Sequence, residues 1–477
     1  MSRIILAVFD GLQPTQINKK LTPNLYQYSE RACFFENNHA VFPTVTRINA
    51  ATLVTGVYPG LHGLPANSFV DQESQGNVVI SAMEPLLSSM AARNIPVLRS
   101  QSLQEILKLY DMEYVALGVG TSGNAYLHNS LAEEIGGATI HPDFTLPSHL
   151  YDRLNVKYGS WPEADIPYTR RYEKAMDMFL DYVLKERNPE VALIWSSEPD
   201  KSQHLFGVGD SMSNQALFEA DKQFGRLLEH IENHQPEAHL FVLSDHGYST
   251  IIESVDLESE ILSAGFNKKN GQRDILIAPN GASALFYFTH LDSVIIDDFV
   301  QWIMEQSWCG SVLGSERIGD IDGIIPLKKV FLEGPRSPDI ALSFRWDDSL
   351  NINGFSGHVY SASGSSGAGT HGSMSRYEIN NLFMCSGPLF RESVRSLAPT
   401  GNIDLLPTIL KVLGVPEPKG ISGRVLVEVF EHQPPLICNT SYLRASRKVG
   451  NGIYNQEVKM SDISGTVYVD EGNGYLI

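Results

Sequence analysis

The chain has 477 residues, which at roughly 150 residues per domain allows two or three domains. Hydrophobic residues make up 43% of the chain and charged residues 19%, a balance that excludes intrinsic disorder and a small disulfide scaffold. The formal net charge of −19 opposes binding to nucleic acid polymers and to anionic membranes. We therefore expect neither partner, and any phosphate that the protein handles must be held by a local cation.

The cysteines and the N-terminal residues bear on the compartment. The four cysteines are far apart and form no CxxC pair, which favours reduced thiols. The apolar run at residues 4–9 is shorter than the apolar region of a signal peptide, and no segment reaches the roughly 20 apolar residues of a membrane span. From these patterns we expect a cytoplasmic protein.

The first predicted elements are a strand and a helix. Residues 4–9 are apolar and rich in β-branched side chains, which is typical of a central parallel strand buried on both faces. Thr22 and Pro23 then predict the N-cap and first residue of a helix that continues to about Arg31.

The same order of elements recurs further along the chain. Residues 172–183 have apolar side chains at helical spacing and precede an apolar strand at 191–195. Residues 224–231 repeat the helical pattern before a strand at 239–243. Alternating strands and helices predict an α/β fold, with a central, mostly parallel sheet sandwiched by helices. Ligands of such folds bind beyond the carboxyl ends of the strands.

Three segments depart from this pattern. Residues 120–168 are rich in Gly, Ser, Pro and aromatics without clear periodicity, which predicts a long surface loop or lid. Residues 354–372, dense in Gly and Ser, predict a loop that ends beside His371. After residue 430 the chain contains short β-like runs such as 466–469.

These patterns divide the chain into three parts. Residues 1–253 and 346–430 form the predicted catalytic core, and residues 431–477 form a C-terminal β-like appendage. Residues 254–345 form a small inserted α+β cap domain. The elements predicted in the cap are strands at 284–288 and 340–344 and a helix at 293–306.

Acidic and imidazole residues follow three of the predicted strands, and one more histidine ends the glycine-rich loop. These six residues are Asp10, Asp200, His204, Asp245, His246 and His371. Taken singly, each is more often a capping residue or a hydrogen-bonded side chain, so only their joint placement indicates a site. Carboxylates and imidazoles without thiolates suit Zn²⁺, Mn²⁺ or Fe. Six ligands suffice for two divalent ions, and we expect zinc first.

A candidate nucleophile lies in the segment at residues 43–49. The apolar run that follows Thr46 predicts a helix with Thr46 near its N-terminus, where free N–H groups and the dipole favour a phosphoryl group. Thr46 as a simple N-cap is the alternative. A threonine hydroxyl is a poor nucleophile unless a metal ion holds it as the alkoxide.

Seven segments of the chain, taken in order, resemble the alkaline phosphatase superfamily and, within it, the nucleotide pyrophosphatase/phosphodiesterase branch. They are residues 8–11, 43–49, 53–67, 198–207, 244–247, 370–372 and 404–410. The resemblance extends over roughly residues 1–430 and implies an alkaline phosphatase-like fold.

The resemblance also implies a role for each motif residue. One ion is implied to be held by Asp200, His204 and His371. The second ion is implied to be held by Asp10, Asp245 and His246, with Thr46 coordinated to it. Thr46 would be the nucleophile that forms a phosphothreonine, and Asn67 would donate to a non-bridging phosphoryl oxygen.

Two residues depart from the family pattern. Relatives that take nucleotides usually carry an aromatic residue after the nucleophile, but here that residue is Arg47, which puts base stacking in doubt. Arg47 could instead bind a second anionic group of the substrate, or it could point away and pair with an acidic neighbour. Gln203 replaces the usual glycine before the ligand His204.

The leading hypothesis is a two-metal-ion hydrolase of phosphodiester or phosphoanhydride bonds in a small phosphorylated or phosphonate substrate. A phosphonoacetate hydrolase-like enzyme that breaks a C–P bond is the first alternative, motivated by Arg47. A phosphomonoesterase is the second. A catalytically silent binding protein is disfavoured, because all six ligand residues are present. A homodimer formed through the C-terminal segment stays open.

Overall fold

The computed structural model describes residues 2–71, 73, 76, 78–267, 274–430 and 436–477. Its strands, labelled β1 to β24 in chain order, are Arg3–Phe9, Cys33–His39, Ser68–Asp71, Val78–Ser81, Tyr114–Gly118, Ala138–Ile140, Thr145–Leu146, Val191–Ser196, Ala238–Leu243, Ser249–Ser254, Ile275–Pro279, Ser283–Phe288, Cys309–Gly314, Ile325–Pro326, Ile340–Phe344, Trp346–Leu350, Ser356–Ser361, Gly369–Thr370, Asn380–Ser386, Val394–Ser396, Thr400–Gly401, Cys438–Val449, Gly452–Ile463 and Thr466–Leu476.

The α-helices, labelled α1 to α15 in chain order, are Pro23–Arg31, Thr46–Thr55, Pro59–His62, Glu84–Ala92, Leu103–Lys108, Ser122–His128, Ala132–Ile135, His149–Tyr158, Thr169–Met178, Asp200–Phe206, Ser211–His234, Leu257–Ser263, Ser293–Met304, Arg376–Ile379 and Leu405–Leu413. A π-helical segment, Phe179–Arg187, continues α9. None of the described helices combines the length and the apolar character needed to cross a bilayer.

The largest sheet has the order β20-β2-β19-β9-β1-β8-β5-β6-β7, and β21 also pairs with β2. Its centre, from β9 through β1, β8 and β5 to β6, is parallel, whereas β19 and β7 run antiparallel to their neighbours. This arrangement confirms the predicted α/β class with a mostly parallel sheet.

The central strand β1 is buried on both faces of this sheet, as its unbroken apolar run predicts. Ile5, Ala7 and Phe9 pack in one apolar cluster with residues of α1, α9 and α11. The alternate residues, Ile4 and Leu6 among them, pack in a second cluster with residues of α2, α5 and α15. Because successive side chains of a strand point to opposite faces, both helical layers are anchored on the same strand.

A second sheet, in the order β11-β12-β15-β13-β14, lies within the segment predicted as a cap. The predicted strands correspond to β12 and β15 and the predicted helix to α13, whose Phe299 and Ile303 pack on Phe286 of the sheet. Residues 268–273 of the predicted cap lie outside the described residues. The division into core and cap stays a prediction.

The C-terminal residues form long strands rather than the short runs predicted. Strands β22, β23 and β24 make an antiparallel sheet with 11 or 12 residues per strand. This sheet packs on the rest of the protein: Trp346 Nε1 donates to the carbonyl of Gly472 at 2.7 Å, and Gln456 exchanges two hydrogen bonds with the backbone of Val312. Residues 431–435 of the predicted appendage lie outside the described residues.

Residues 120–168 are not a long loop, so that prediction is wrong. They contain α6, α7 and α8 and the strands β6 and β7. Every residue of α6 is buried, so this helix lacks the amphipathic period by which surface helices are recognised. The neighbouring elements are short, and tertiary packing rather than local pattern decides them.

One further prediction is wrong. The glycine-rich segment 354–372 contains β17 and β18, and in β17 the buried positions hold Gly357 and Ser361 beside Val359, which hides the alternation.

The predicted start and end of α1 are confirmed. Thr22 is the N-cap residue, Pro23 is the first helical residue and the helix ends at Arg31, although the Thr22 hydroxyl donates to the carbonyl of Gln16 rather than accepting from the first turn.

Candidate active site

Three neighbouring parallel strands bring the predicted ligands together. Asp10 directly follows β1, Asp200 begins the helix α10 that comes after β8, and Asp245 and His246 follow β9. Because β1 lies between β8 and β9 in parallel register, the carboxyl ends of all three meet at one edge of the sheet. His371 reaches the same place from the end of β18, which pairs with β10.

The first predicted ligand group is assembled in the structure. Nε2 of His204 lies 3.2 Å from Oδ1 of Asp200 and 3.1 Å from Nε2 of His371. The distance from Asp200 Oδ1 to His371 Nε2 is 3.3 Å. Asp200 and His371 are buried, whereas the His204 side chain is 40% exposed, so this group lies at the solvent side of the site.

The second group surrounds His246. Its Nε2 lies 3.1 Å from Oδ2 of Asp245 and 3.7 Å from Oδ1 of Asp10. The hydroxyl of Thr46 is 3.3 Å from the same nitrogen. The rings of His246 and His371 are stacked with centroids 3.7 Å apart, and ligand atoms of Asp200, His246 and His371 also lie within 4.8 Å of one another. His246 therefore lies where the two groups meet.

Each of the three histidines is oriented by a backbone carbonyl. Nδ1 of His371 lies 2.8 Å from the carbonyl oxygen of Thr44, and Nδ1 of His246 lies 3.0 Å from that of Gly247. Nδ1 of His204 lies 3.2 Å from the carbonyl oxygen of Gly369. Because a carbonyl only accepts, Nδ1 of each ring donates, and the Nε2 atoms are the ones that face the site.

One oxygen of each carboxylate is held by a donor outside the ligand set. Asp10 Oδ2 accepts from Trp195 Nε1 at 3.0 Å, and Asp245 Oδ1 accepts from the amide of Gly11 at 3.1 Å. Asp200 Oδ1 accepts from the hydroxyl of Tyr248 at 2.8 Å. Among the described residues, the buried oxygens Asp10 Oδ1 and Asp245 Oδ2 have no polar partner other than the imidazole of His246. These two oxygens are the ones nearest to His246, where a cation would satisfy them.

The electrostatics indicate a concentration of negative charge. Burial raises the pKa of Asp10 well above its ordinary value, and the charges of Asp245 and Asp200 raise it further. Burial would lower the pKa of His246, but Asp245 and Asp10 raise it to about 10. Burial, together with the charges of His246 and His204, lowers the pKa of His371 to about 4 and keeps that imidazole neutral. Buried carboxylates beside a neutral imidazole form a donor set that fits divalent cations.

Thr46 is the first residue of α2, and the N-cap of that helix is Val45. The alternative in which Thr46 is only an N-cap is therefore wrong. Asn67 lies beside it: its Oδ1 accepts a hydrogen bond of 2.9 Å from the amide of Arg47. That bond leaves the Nδ2 amide of Asn67 as its donor group.

Arg47 pairs with no acidic residue in the part of the chain that the structure describes. The residue is 9% exposed, and no carboxylate oxygen of the described residues lies within 4.0 Å of its guanidinium. The guanidinium instead contacts neutral atoms of four residues. They are Asn67, Ser81, Met83 and Thr121.

Two donors that orient the ligands, Trp195 and Tyr248, were not predicted from the sequence. A signal existed for both, because a buried Trp N–H or Tyr O–H usually finds a polar partner, and both residues adjoin the ligand segments.

Gln203 is accommodated by hydrogen bonds: its Nε2 donates to Gly11 O at 3.3 Å, and its Oε1 accepts from Gln16 Nε2 at 2.8 Å.

A mostly parallel sheet with carboxylates and imidazoles at its carboxyl edge defines an α/β protein with an alkaline phosphatase-like fold. Two structures of ectonucleotide pyrophosphatase/phosphodiesterase 5 share this fold. The murine protein matches with a TM-score of 0.63 at 16% identity, over 87% of this chain and 96% of that one. The human protein matches with a TM-score of 0.62 at 16% identity, over 90% of this chain and 100% of that one.

The family model of type I phosphodiesterase / nucleotide pyrophosphatase matches residues 4–293, and the chain belongs to this family. Venom phosphodiesterase 2 of Crotalus adamanteus is 25% identical over 254 residues, which are 52% of this chain and 27% of the venom protein. An uncharacterized pyrophosphatase/phosphodiesterase of Schizosaccharomyces pombe is 24% identical over 248 residues, 52% of this chain and 44% of the yeast protein. The matches thus span less than half of either relative. The family is metal-dependent, in agreement with the two ligand groups.

Proposed function

We propose that this protein is a two-metal-ion hydrolase of phosphodiester or phosphoanhydride bonds that acts through a phosphothreonine at Thr46. The observation that carries the proposal is the position of the Thr46 hydroxyl. Thr46 is the first residue of α2 and is 6% exposed, and its hydroxyl lies 3.3 Å from His246 Nε2, where the two ligand groups meet. A hydroxyl so placed has both a helix N-terminus and a cation site beside it.

Zinc is the ion that we propose for both positions. Ligands about 2.0–2.1 Å from a tetrahedral ion are about 3.3 Å from one another. The ligand atoms of Asp200, His204 and His371 are separated by 3.1 to 3.3 Å. The separations from His246 Nε2 to Asp245, Thr46 and Asp10 are 3.1, 3.3 and 3.7 Å. These spacings suit zinc better than the larger oxygen cages of Ca²⁺.

In the proposed reaction, Thr46 Oγ1 forms a bond to phosphorus while the bond from phosphorus to the leaving oxygen breaks. The ions, when bound, would lower the pKa of the hydroxyl and neutralise charge on the attacking and leaving oxygens. Nδ2 of Asn67 would donate to a non-bridging oxygen. Water then hydrolyses the phosphothreonine, which returns the threonine hydroxyl and releases the second product.

Relatives support the phosphodiester chemistry without identifying a substrate. The snake relatives are named venom phosphodiesterases, and an inactive variant of the murine structural neighbour was solved in complex with AMP. Arg47 favours a second candidate, hydrolysis of the C–P bond of a carboxylated phosphonate, because its guanidinium has no acidic partner in the described residues and suits a substrate carboxylate.

The decisive experiment compares kcat/KM for bis-p-nitrophenyl phosphate and p-nitrophenyl phosphate, with zinc-loaded protein. We expect a preference for the diester that is abolished in Thr46→Ala, while Thr55→Ala, in the same helix, retains it. Bound zinc is measured in every variant. A Thr46→Ala protein that holds zinc and keeps its turnover would overturn the threonine mechanism, and a preference for the monoester would overturn the phosphodiesterase assignment.

A further inference from the structure

Arg47 is a buried positive charge, and its hydrogen-bond partners among the described residues are all neutral. Its Nε lies 3.4 Å from Thr121 Oγ1, and its Nη1 lies 3.3 Å from Asn67 O and 3.5 Å from Ser81 Oγ. Its Nη2 lies 3.0 Å from Met83 Sδ. The three contacts to oxygen are longer than most N–H···O bonds, and thioether sulfur is a weak acceptor. A guanidinium buried with partners of this kind is poorly compensated for the water that it has lost.

The negative charges of Asp10 and Asp200 act on Arg47 at longer range and stabilise its charged form. Both are members of the ligand groups. Divalent cations held there would cancel these negative charges and replace them with positive ones. In the metal-loaded site these two carboxylates would therefore no longer compensate Arg47, and a bound anion could do so in their place.

A second cation lies beside the first ligand group. Lys201 follows the ligand Asp200, and its Nζ is 3.4 Å from Asp200 Oδ2. Cations on Asp200 would remove the attraction that now holds Lys201. The site thus has more positive charge than one phosphodiester, with a single negative charge, can balance.

We propose that Arg47 binds a second anionic group on the substituent next to the reacting phosphorus, either a carboxylate or a further phosphate. The substrates are then small phosphorus compounds with two anionic centres. This inference rests on the proposed function for the reaction at Thr46. The planar guanidinium presents parallel N–H groups that match two oxygens of such an anion, and Arg47 directly follows Thr46 in α2.

The kinetic test uses two p-nitrophenyl diesters that differ in one group, ethyl p-nitrophenyl phosphate and carboxymethyl p-nitrophenyl phosphate. We expect zinc-loaded wild-type protein to prefer the carboxymethyl ester in kcat/KM by about tenfold or more, the value of a charge-assisted hydrogen-bonded pair. Arg47→Met should lose the preference and Arg47→Lys should keep only part of it. Arg153→Met, which removes the same charge from an exposed position of α8, should retain it.

The binding test uses zinc-loaded Thr46→Ala protein and calorimetry with phosphonoacetate, inorganic diphosphate and methylphosphonate. We expect phosphonoacetate or diphosphate to bind about tenfold tighter than methylphosphonate, and the tighter of the two identifies the second anion. Arg47→Met in the same background should remove the difference. Equal affinities, or an equal loss for all three in Arg47→Met, would overturn the second-anion site. If wild-type protein hydrolyses neither diester, the proposed function fails while calorimetry still decides this inference.

Discussion

The indole Nε1 of Trp195 donates a hydrogen bond of 3.0 Å to Oδ2 of Asp10. Trp195 lies on β8 and Asp10 directly follows the neighbouring strand β1. Both side chains are buried, and the bond fixes one carboxylate oxygen, while Oδ1 of Asp10 accepts no hydrogen bond from any described residue outside the ligand groups. A residue of the sheet core thus sets the direction in which a candidate ligand faces the site.

We expect Trp195→Phe to weaken zinc binding by about tenfold or more, because loss of a donor to a ligand typically costs about 10–100-fold in affinity. The measurement is competition with a chromophoric chelator. Trp308→Phe, which removes an indole of comparable burial from the packing around α13, is the matched control and should leave the affinity unchanged. Equal losses in both variants would attribute the effect to packing rather than to Asp10.

Tyr248→Phe should weaken the other ion. The Tyr248 hydroxyl donates to Oδ1 and to the carbonyl oxygen of Asp200, at 2.8 and 3.0 Å. Without it the Asp200 carboxylate loses its fixed orientation in the group that includes His204 and His371. We expect one of two zinc equivalents to be lost at a chelator concentration that leaves wild-type protein fully loaded, by about a tenfold change in affinity. Retention of both equivalents contradicts this role.

Removal of metal should reverse the effect of Asp10→Asn on stability. In metal-free protein the three buried aspartates repel, so the variant should unfold at a higher temperature than wild type. With zinc at 100 times its dissociation constant, each ion adds about 2.7 kcal/mol to the wild-type free energy of unfolding. The variant, which lacks a ligand, should then be the less stable protein. The same order of melting temperatures with and without zinc would argue against a cation site at Asp10.

Two buried histidines away from the ligand groups should make the protein less stable below neutral pH. Burial lowers the pKa of His62 and that of His128 to about 3. The amide of Leu64 donates to Nδ1 of His62, so that nitrogen is unprotonated in the fold. In the unfolded chain each histidine takes up a proton below its ordinary pKa of 6.5, whereas in the folded protein it stays neutral down to about pH 3. The contribution of each histidine to the free energy of unfolding is therefore complete above pH 6.5 and is lost as the pH falls.

Between pH 7 and pH 5 each of these histidines should lower the free energy of unfolding by about 2 kcal/mol. Denaturant unfolding at the two pH values measures this loss. In His62→Gln the fall in the free energy of unfolding should be about 2 kcal/mol smaller than in wild type. In His149→Gln, a variant at an exposed position, the fall should equal that of wild type. An unchanged loss in His62→Gln would mean that His62 is already protonated or accessible in the fold.

Much of the fold and of the ligand set could be predicted from local pattern. The unbroken apolar run of β1 and the helical spacing of α9 and α11 require no tertiary information. Parallel strands bring their carboxyl ends to one edge, so a polar residue after each strand already predicts a shared site. By contrast, α6 is buried on every side and β17 carries Gly and Ser at buried positions, so neither has the period by which such elements are recognised.

The sequence by itself determined that Asp10, Asp245 and His246 would meet at the end of a parallel sheet, because residue order and strand period suffice for that. Only the tertiary structure decided that Trp195 and Tyr248 orient the carboxylates and that His246 lies between both ligand groups. It alone decided that Arg47 is buried among neutral partners. Whether a side chain finds a counter-ion depends on which distant segments pack around it, and that packing has no local signal in the chain.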